Sequence, residues 1–472
     1  MNTEFIDVDA LRRRLAAHGQ EHVLAFWNEL SGPERASLAG QITQLDLELL
    51  DELYRGDARP TDWADLARRA EPPPAFRLGD GANRINPADA RRRGAEAIDE
   101  GAVGAILVAG GQGSRLGFDH PKGMFSIGPV SGVSLFQILI EKIVGRARDA
   151  RVSIPLYVMT SPATDAETRE YLAANQFFGL AAEDVTIFCQ GTMPAVEART
   201  GKLLLAEKHA LSLSPDGHGG CLAGLERSGS LADMRRRGLR YLFYFQVDNP
   251  LAPVCDPEFL GYHILSGAEM STLVVRKQTP RDRVGNVASI DGRLHVLEYS
   301  DFNPLDDAIV LRRDAAGSPV FWAGSIAVHG FNVAFLERES TSAASLPFHV
   351  ALKAVGHVTP GGGLERPTQP NANKFERFIF DLMPTARQAI VIEGDEPSVF
   401  APLKNAPGEK RDTPEFVRDH LAAQARGWLR AAGNEVADDA LVEVSPLVAQ
   451  DEQQARQRLP HGQKIAAPRY FH

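Results

Sequence analysis

The sequence predicts an α/β protein with a central, mostly parallel sheet, a helical N-terminal region and a small C-terminal domain. From residue 101 onward, short apolar runs alternate with helix-like segments, and the first run, residues 103–109, ends in glycines. Such alternation is typical of right-handed βαβ crossovers and a parallel sheet. In the first hundred residues, apolar residues recur three or four positions apart, which indicates helices there.

Residues 1–98 are predicted to form the helical N-terminal region. Asp9 is expected to cap a helix that stops at Gly19. The turn at residues 31–34 is expected to open a second helix, whose apolar side carries Leu38, Ile42, Leu45 and Leu49. The prolines at 72–74 must end any helix that reaches them.

Residues 99–384 are predicted to form the central domain, and residues 385–472 the small C-terminal domain. The first half of the central domain contains predicted strands at 103–109, 155–160, 185–188 and 242–247, and helices at 135–147 and 166–174. After residue 270, strands at 271–277, 285–290 and 294–299 indicate a mixed sheet. Residues 359–373 are expected to form a loop, and residues 415–432 a helix. Parallel sheets bind ligands at the carboxyl ends of their strands, so we expect the site just after these strands.

The composition excludes several classes of protein. There are 51 Lys and Arg residues against 61 Asp and Glu, a net charge of −10. This balance argues against a nucleic-acid binder, because phosphate backbones need a basic field. No apolar run approaches the roughly 20 residues of a membrane span, so no membrane partner is expected. Three cysteines, none of them in a Cys-x-x-Cys pair, argue against a disulfide framework and predict a cytoplasmic protein.

The strongest chemical signal follows the first predicted strand. It reads Ala109-Gly110-Gly111-Gln112-Gly113-Ser114-Arg115-Leu116-Gly117, followed by Pro121-Lys122-Gly123. Leu116 stands where a dinucleotide fingerprint needs a glycine, and the Gly-Lys-Ser/Thr of a Walker A loop is missing here. Closely spaced glycines nevertheless let backbone N–H groups converge on an anion, and Arg115 and Lys122 add positive charge. We therefore predict a phosphate cradle, with a plain glycine-rich turn as the alternative.

Two further segments are candidates for ligand binding. Residues 214–220, which read Ser-Pro-Asp-Gly-His-Gly-Gly, could bring the backbone close to a base or sugar; a surface loop is the alternative. Asp248 follows an aromatic strand and is well placed to hold Mg²⁺; an ordinary turn residue is the alternative. A Gly-x-Ser-x-Gly nucleophile elbow does not follow these strands. This pattern favours phosphoryl or nucleotidyl transfer, which needs positioning and charge neutralisation.

Taken together, these segments resemble the UDP-sugar pyrophosphorylase family, especially its UDP-N-acetylhexosamine branch. The resemblance covers roughly residues 100–430 and is carried first by residues 107–117 and 121–124. Further similar stretches follow in the order of the family, at residues 136–137, 159–161, 190–191, 194–195, 215–217, 247–249, 296–300, 323–324, 378–381 and 402–405. The resemblance implies a Rossmann-like nucleotidyltransferase domain with a mixed, mostly parallel sheet.

The resemblance also implies roles for individual residues. The catalytic residues would be Arg115, Lys122 and Lys404. The nucleotide-binding residues would be Ala109, Gly110, Gly111, Gln190, Pro215, Gly217 and Lys374. The sugar-binding residues would be His218, Gly285, Glu298 and Ser325. Asp248 would bind Mg²⁺ as the cofactor.

The implied reaction joins UTP and a sugar 1-phosphate to give a UDP-sugar and pyrophosphate. The sugar substrate expected first is N-acetylglucosamine 1-phosphate. The alternatives are a UTP–glucose-1-phosphate uridylyltransferase and a non-catalytic nucleotide-sugar-binding protein of the same fold. Two differences from the family branch bear on the sugar. His218 stands where the branch has Asn, and residues 322–325 read Trp-Ala-Gly-Ser where it has Asn-Ala-Gly-Asn.

Overall fold

The computed structural model describes residues 6–56, 62–79, 81–341 and 346–472. The chain forms two compact units, each built from separate stretches of sequence. Unit 1 comprises Met1–Asp62, Gly191–Gly220 and Leu346–Ile379; unit 2 comprises Trp63–Gln190, Cys221–Ser345 and Phe380–His472. These units differ from the predicted division at 98/99 and 384/385, because segments distant in the sequence pack together in each of them.

The described part of unit 2 contains a ten-stranded sheet, which confirms the predicted α/β fold. Strands are numbered in chain order over both units, and those of this sheet are β1 (Ala75–Phe76), β2 (Val103–Val108), β3 (Leu156–Thr160), β4 (Val185–Cys189), β10 (Tyr241–Gln246), β11 (Met270–Arg276), β12 (Gly285–Ile290), β13 (Arg293–Leu297), β14 (Ala323–Asn332) and β19 (Ala389–Glu393). Eight follow the order β1-β19-β11-β14-β10-β2-β3-β4, while β12 pairs with β13 and β14.

Parallel pairing dominates this sheet. In the eight-strand order only β14 runs against its neighbours, since it is antiparallel to both β10 and β11. The strands β10, β2, β3 and β4 are parallel, as are β1, β19 and β11. Every residue of β3 and five of the six residues of β2 are buried. Burial on both faces is what a central parallel strand requires, and it explains the continuous apolar runs in the sequence.

Helices accompany the sheet of unit 2. They are α4 (Trp63–Arg69), α5 (Pro87–Asp99), α6 (Leu135–Ala150), α7 (Asp165–Ala174), α8 (Gly220–Arg227), α9 (Ser230–Arg236), α10 (Pro257–Leu265), α11 (Tyr299–Phe302), α12 (Asp307–Val310), α13 (Val333–Ser340), α14 (Glu396–Val399), α15 (Pro414–Ala431) and α16 (Glu452–Arg458). Their starts follow local chemistry: Ser134 caps α6 by accepting from Gln137 N at 3.2 Å, and Thr413 caps α15 by accepting from Phe416 N at 3.2 Å.

The C-terminal stretch has a small core of its own within unit 2. Its strands are β20 (Glu435–Val436), β21 (Val442–Val444), β22 (Lys464–Ile465) and β23 (Arg469–Phe471), which form two parallel pairs. They enclose apolar residues such as Leu429, Val442 and Leu459 together with one side of α15. However, β19 belongs to the central sheet and is parallel to β11, so residue 385 does not mark the start of this small core.

Unit 1 combines helices with short strands. They are α1 (Val8–Ala17), α2 (Gly32–Gln44), α3 (Leu47–Arg55), β5 (Thr192–Pro194), β6 (Val196–Glu197), β7 (Leu205–Glu207), β8 (Ala210–Leu211), β9 (Leu213–Pro215), β15 (His349–Lys353), β16 (His357–Val358), β17 (Leu364–Glu365) and β18 (Ala372–Glu376). Asp7, rather than Asp9, caps α1, because its Oδ1 accepts from Ala10 N at 2.9 Å. In the described ranges, no helix has the length and apolar character needed to cross a membrane.

Candidate active site

The carboxyl edge of the central sheet carries most of the candidate residues of unit 2. The ends of β2 and β10 lie side by side: Val108 pairs with Gln246, and Val247 N donates to Val108 O at 3.0 Å. Because β14 is antiparallel to β10 and β11, its first residues lie at the same edge. The segments that follow β2 and β10 and the start of β14 are therefore neighbours, as expected for a site on a parallel sheet.

The glycine-rich loop after β2 folds back on itself. Gly113 N donates to His120 O at 2.9 Å, and Lys122 N donates to Gly111 O at 3.0 Å. Ala109 is buried at the end of the strand, whereas Gly111 is exposed, and a Cβ on Gly111 would meet no atom within 4 Å. The loop therefore presents open backbone at Gly111 beside the start of the Lys122 segment, which is the arrangement a phosphate cradle needs.

Gln190 lies against this loop. Its backbone N–H donates to Thr160 O at 2.9 Å, and a Cβ on Gly110 would lie only 2.7 Å from its Nε2. The side chain is buried, yet its Oε1 has no hydrogen-bond partner in the part of the chain that the structure describes. A buried amide oxygen without a partner is costly, and a ligand N–H would remove that cost.

Lys122 and Asp248 face each other across the ends of β2 and β10. Lys122 Nζ lies 3.9 Å from Asp248 Oδ2 and donates to Leu403 O at 3.2 Å. Leu403 N in turn donates to Asp248 O at 2.8 Å. The segment at 401–405 thus fixes both residues and carries Lys404 next to them.

Lys404 lines a cleft of about 390 Å³ in unit 2 together with Lys277 and Asp412. Lys404 N donates to Asp412 O at 2.8 Å, and Asn405 N donates to the same oxygen at 2.9 Å. Asp412 has a φ of +62°, which is unusual for a residue other than glycine, and burial raises the pKa of its carboxyl group. Asp412 could not be predicted from the sequence, since a lone aspartate in a polar loop carries no recognisable pattern.

The carboxylate of Asp248 supplies oxygen atoms that suit Mg²⁺ as ligands. This ion usually binds one or two carboxylate oxygens of the protein, together with substrate phosphates and water. The charge of Asp248 also acts on the carboxyl group of Asp412, so a second carboxylate is near. Within the described ranges, no group of three or more His, Cys, Asp or Glu residues could hold a metal by itself. The residues therefore fit an ion that is shared with phosphate groups.

Three of the predicted sugar-binding residues come together. Gly285 pairs with Ser325 across β12 and β14, and a Cβ on Gly285 would lie 3.4 Å from Glu298 Oε2. Two residues after Ser325, β14 carries a bulge at Ala327, whose φ is +55°. Bulges often re-aim side chains beside functional sites. Arg115, by contrast, is exposed, and no described hydrogen bond or ion pair joins its guanidinium to another candidate.

In unit 1, the predicted segment around Pro215 is held by a buried ion pair. Pro215 pairs with Thr192 at the end of β9, and Arg377 Nη2 lies 2.9 Å from Asp216 Oδ2. Gly217 has a φ of +82°, and a Cβ there would lie 2.3 Å from Arg377 O. Only glycine fits at this position. The Asp216–Arg377 pair could not be predicted from the sequence, because its members are 161 residues apart.

His218 is a neutral histidine in this segment. Ile379 N donates to its Nδ1 at 3.1 Å, which assigns the ring proton to Nε2. Burial is the main cause that lowers the pKa of His218 to about 3, with a smaller effect from His349. Lys374 lies on another strand of unit 1, β18, opposite Ala351 of β15.

Comparison with known proteins identifies the family to which the chain is similar. Residues 81–346 match the family model described as UTP–glucose-1-phosphate uridylyltransferase. The chain is 36% identical to the human UDP-N-acetylhexosamine pyrophosphorylase-like protein 1, over 93% of this chain and 92% of that protein. It is 35% identical to the UDP-N-acetylglucosamine pyrophosphorylase of Saccharomyces cerevisiae, over 90% of this chain and 92% of that one.

A solved structure extends this similarity to three dimensions. The uridine diphosphate N-acetylglucosamine pyrophosphorylase of Trypanosoma brucei, solved in complex with an inhibitor, matches with a TM-score of 0.81 and 26% identity over 99% of both chains. Sequence and fold therefore agree over nearly the whole length, and this chain belongs to the UDP-sugar pyrophosphorylase family.

Proposed function

We propose that this chain is a uridylyltransferase that joins UTP and N-acetylglucosamine 1-phosphate to give UDP-N-acetylglucosamine and pyrophosphate. The observation that supports it most directly is the set of groups at one edge of the sheet in unit 2: an open glycine loop, Lys122 beside Asp248, and the unpaired amide oxygen of Gln190. The names of the human and yeast relatives support the sugar.

The nucleotide would bind at the glycine loop. Ala109, Gly110 and Gly111 would cradle it, and the amide of Gln190 would face the base. Uracil presents an N–H donor at N3 next to a carbonyl acceptor, which matches an amide that has both an oxygen and an NH₂ group. Cytosine presents an acceptor at N3, so it would not match an amide whose unpartnered group is the oxygen.

The reaction would need no nucleophile from the protein. A phosphate oxygen of the sugar 1-phosphate attacks the α-phosphorus of UTP, and the bond from that phosphorus to the oxygen bridging to the β-phosphate breaks. Pyrophosphate leaves with the electron pair. Arg115, Lys122 and Lys404 would stabilise the negative charge that this transfer shifts onto the leaving group. Asp248 would hold Mg²⁺, whose charge would neutralise phosphate oxygens further.

The sugar would contact Gly285, Glu298 and Ser325, with the Glu298 carboxylate accepting hydrogen bonds from sugar hydroxyls. For unit 1, the proposed roles rest on the family resemblance: Pro215, Gly217 and Lys374 toward the nucleotide, and His218 toward the sugar. As a neutral ring protonated at Nε2, His218 would act as a hydrogen-bond donor. We further propose a reducing, cytoplasmic location, which the free thiols of Cys189, Cys221 and Cys255 support.

The test is pyrophosphate release from UTP over a panel of sugar 1-phosphates. We expect release with N-acetylglucosamine 1-phosphate and Mg²⁺, and loss of release when EDTA removes the metal. A preference for glucose 1-phosphate would instead favour a UTP–glucose-1-phosphate uridylyltransferase, which is the description of the matching family model. Tight binding of UDP-sugars without release for any sugar would contradict the enzymatic proposal.

A further inference from the structure

Lys142, on α6, lies outside the residues proposed to touch substrate. Its Nζ donates to Pro250 O at 2.6 Å and to Ala252 O at 2.8 Å. Both carbonyls belong to the loop after β10 that carries the proposed metal ligand Asp248. Ala252 O also accepts from Val254 N at 2.9 Å, whereas for Pro250 O the donor in the described part of the chain is Lys142. A lysine that donates to two carbonyls of one loop holds that loop rather than a ligand.

The same loop is anchored from a second side. Asn249 Nδ2 donates to Val399 O at 2.8 Å, and Asn249 Oδ1 accepts from Ala401 N at 3.2 Å. These bonds and the Leu403–Asp248 bond tie the loop to residues 399–403. Lys142 ties it to α6, the helix that follows the segment carrying Lys122. The loop that places Asp248 is therefore held by residues 399–403 on one side and by α6 on the other. Both elements are also close to Lys122, which donates to Leu403 O and precedes α6 in the chain.

The surroundings of Lys142 explain why this anchor is firm. It lines a small cavity of about 40 Å³ together with Trp428 of α15 and Glu443 of β21. Glu443 accepts hydrogen bonds from Val130 N at 2.8 Å and Ser131 N at 2.7 Å, in the connection between Lys122 and α6. The C-terminal stretch thus packs beside the anchor through the residues around this cavity.

From this geometry we infer that Lys142 is a positioning residue for the uridylyl transfer, which fixes the Asp248 loop relative to Lys122. The inference rests on the proposed function for its catalytic meaning, whereas the anchoring of the loop does not. Displacement of a reacting group by about 1 Å can cost on the order of 100-fold in rate. Loss of the anchor should therefore act on turnover and metal use more than on the fold.

The experiment compares Lys142→Met with Lys142→Arg, which keeps N–H donors at this position. Arg312→Met is the matched control, because Arg312 also caps backbone carbonyls, donating to Ala67 O at 2.7 Å and Ala70 O at 3.0 Å. We expect Lys142→Met to lower kcat about 10- to 100-fold and to raise the Mg²⁺ concentration for half-maximal rate several-fold. Lys142→Arg should restore kcat to within about threefold, and Arg312→Met should leave both values unchanged.

Hydrogen–deuterium exchange provides a readout that does not depend on catalysis. In Lys142→Met, amides of residues 247–253 should exchange faster than in the wild type, while those of β2 and β3 stay protected. Unchanged exchange in this peptide, or kcat within twofold of the wild type, would overturn the inference. If Lys142→Met does not fold, Lys142→Gln is measured in the same way. A wild type that releases no pyrophosphate would instead contradict the proposed function. The exchange result alone would then test whether Lys142 anchors the loop.

Discussion

Among single residues, Lys122 is partly buried and forms an ion pair with the proposed metal ligand. Its ammonium lies 3.9 Å from the Asp248 carboxylate, so both groups would face the same phosphates. We predict that Lys122→Ala lowers kcat by about 100- to 1000-fold, the usual scale for the loss of one charge-stabilising group. Lys464→Ala is the control, since that side chain is 82% exposed and pairs only with Glu435 in the described part of the chain. A correctly folded Lys122→Ala enzyme at full rate would contradict the assigned role.

Gln190 is a residue whose role can be tested by nucleotide choice. In Gln190→Glu the carboxylate keeps an acceptor, loses the N–H donors and adds negative charge beside a triphosphate. We predict that kcat/KM for UTP falls by about 10- to 100-fold, as for the loss of a buried hydrogen bond of about 1–3 kcal/mol. Initial rates with varied UTP measure it, and exposed Gln388→Glu provides the control. An unchanged kcat/KM for UTP would mean that the base does not contact this side chain.

The pairing of β12 with β14 makes a prediction about the sugar. Gly285 sits at the start of β12, and a Cβ added there would lie 2.6 Å from Val296 Cγ1 as well as close to Glu298. Gly285→Ala should therefore shift the β13 end and raise KM for the sugar 1-phosphate by about tenfold, while KM for UTP stays within twofold. The cost of such overpacking is typically about 1–3 kcal/mol.

The control for this change is Gly427→Ala on α15, because a Cβ at Gly427 would meet no atom within 4 Å. Separate titrations of the two substrates distinguish the outcomes. Equal increases in both KM values would assign Gly285 to the general fold of this edge and not to the sugar.

The elements of the central sheet show what periodicity in the sequence can predict. The prediction of a strand at 285–290 agrees with β12, and those at 103–109, 155–160 and 271–277 agree with β2, β3 and β11 to within one residue. Their buried runs are continuous because both faces are covered. By contrast, β14 was not predicted, although it has ten residues. Its bulge at Ala327 breaks the alternation, and its place between β10 and β11 depends on pairing across distant segments.

The site divides in the same way. Lys122, Asp248 and the glycine loop could be predicted, since each follows a recognisable strand and carries a local pattern. The Asp216–Arg377 pair and the Asp412 turn could not, because their meaning arises only when chain segments far apart in sequence meet. Lys142 belongs to this second group: on α6 it looks like an ordinary lysine of a helix.

At the scale of the whole molecule, a net charge of −10 coexists with a proposed site for several phosphates. The two are compatible because a few fixed cations act over short distances, whereas distant carboxylates are screened beyond a Debye length of about 8 Å at physiological salt. In the same molecule, burial of the Lys142 ammonium group makes its positive charge costly. The free energy of unfolding should therefore depend on pH through the titration of this lysine.

Burial, with a smaller effect from Arg146, lowers the pKa of Lys142 from 10.5 to about 7. Between these values the unfolded chain binds a proton that the folded chain does not, so the free energy of unfolding increases with pH across this range. The unfavourable contribution of Lys142 is complete below pH 7 and fades as pH rises. We predict that wild-type stability gains up to about 1.4 kcal/mol per pH unit between pH 7.5 and 9.5 relative to Lys142→Met.

Urea denaturation at several pH values measures this difference, and it is independent of any activity. Lys142→Arg serves as the second comparison, because a guanidinium does not titrate in this range and should lack the same pH dependence. Parallel stability curves for the wild type and both variants would mean that Lys142 stays protonated in the folded protein. In that case the Pro250 and Ala252 carbonyls would stabilise the positive charge of Lys142 despite its burial. The ammonium group would then anchor the Asp248 loop in its charged form over the whole pH range measured.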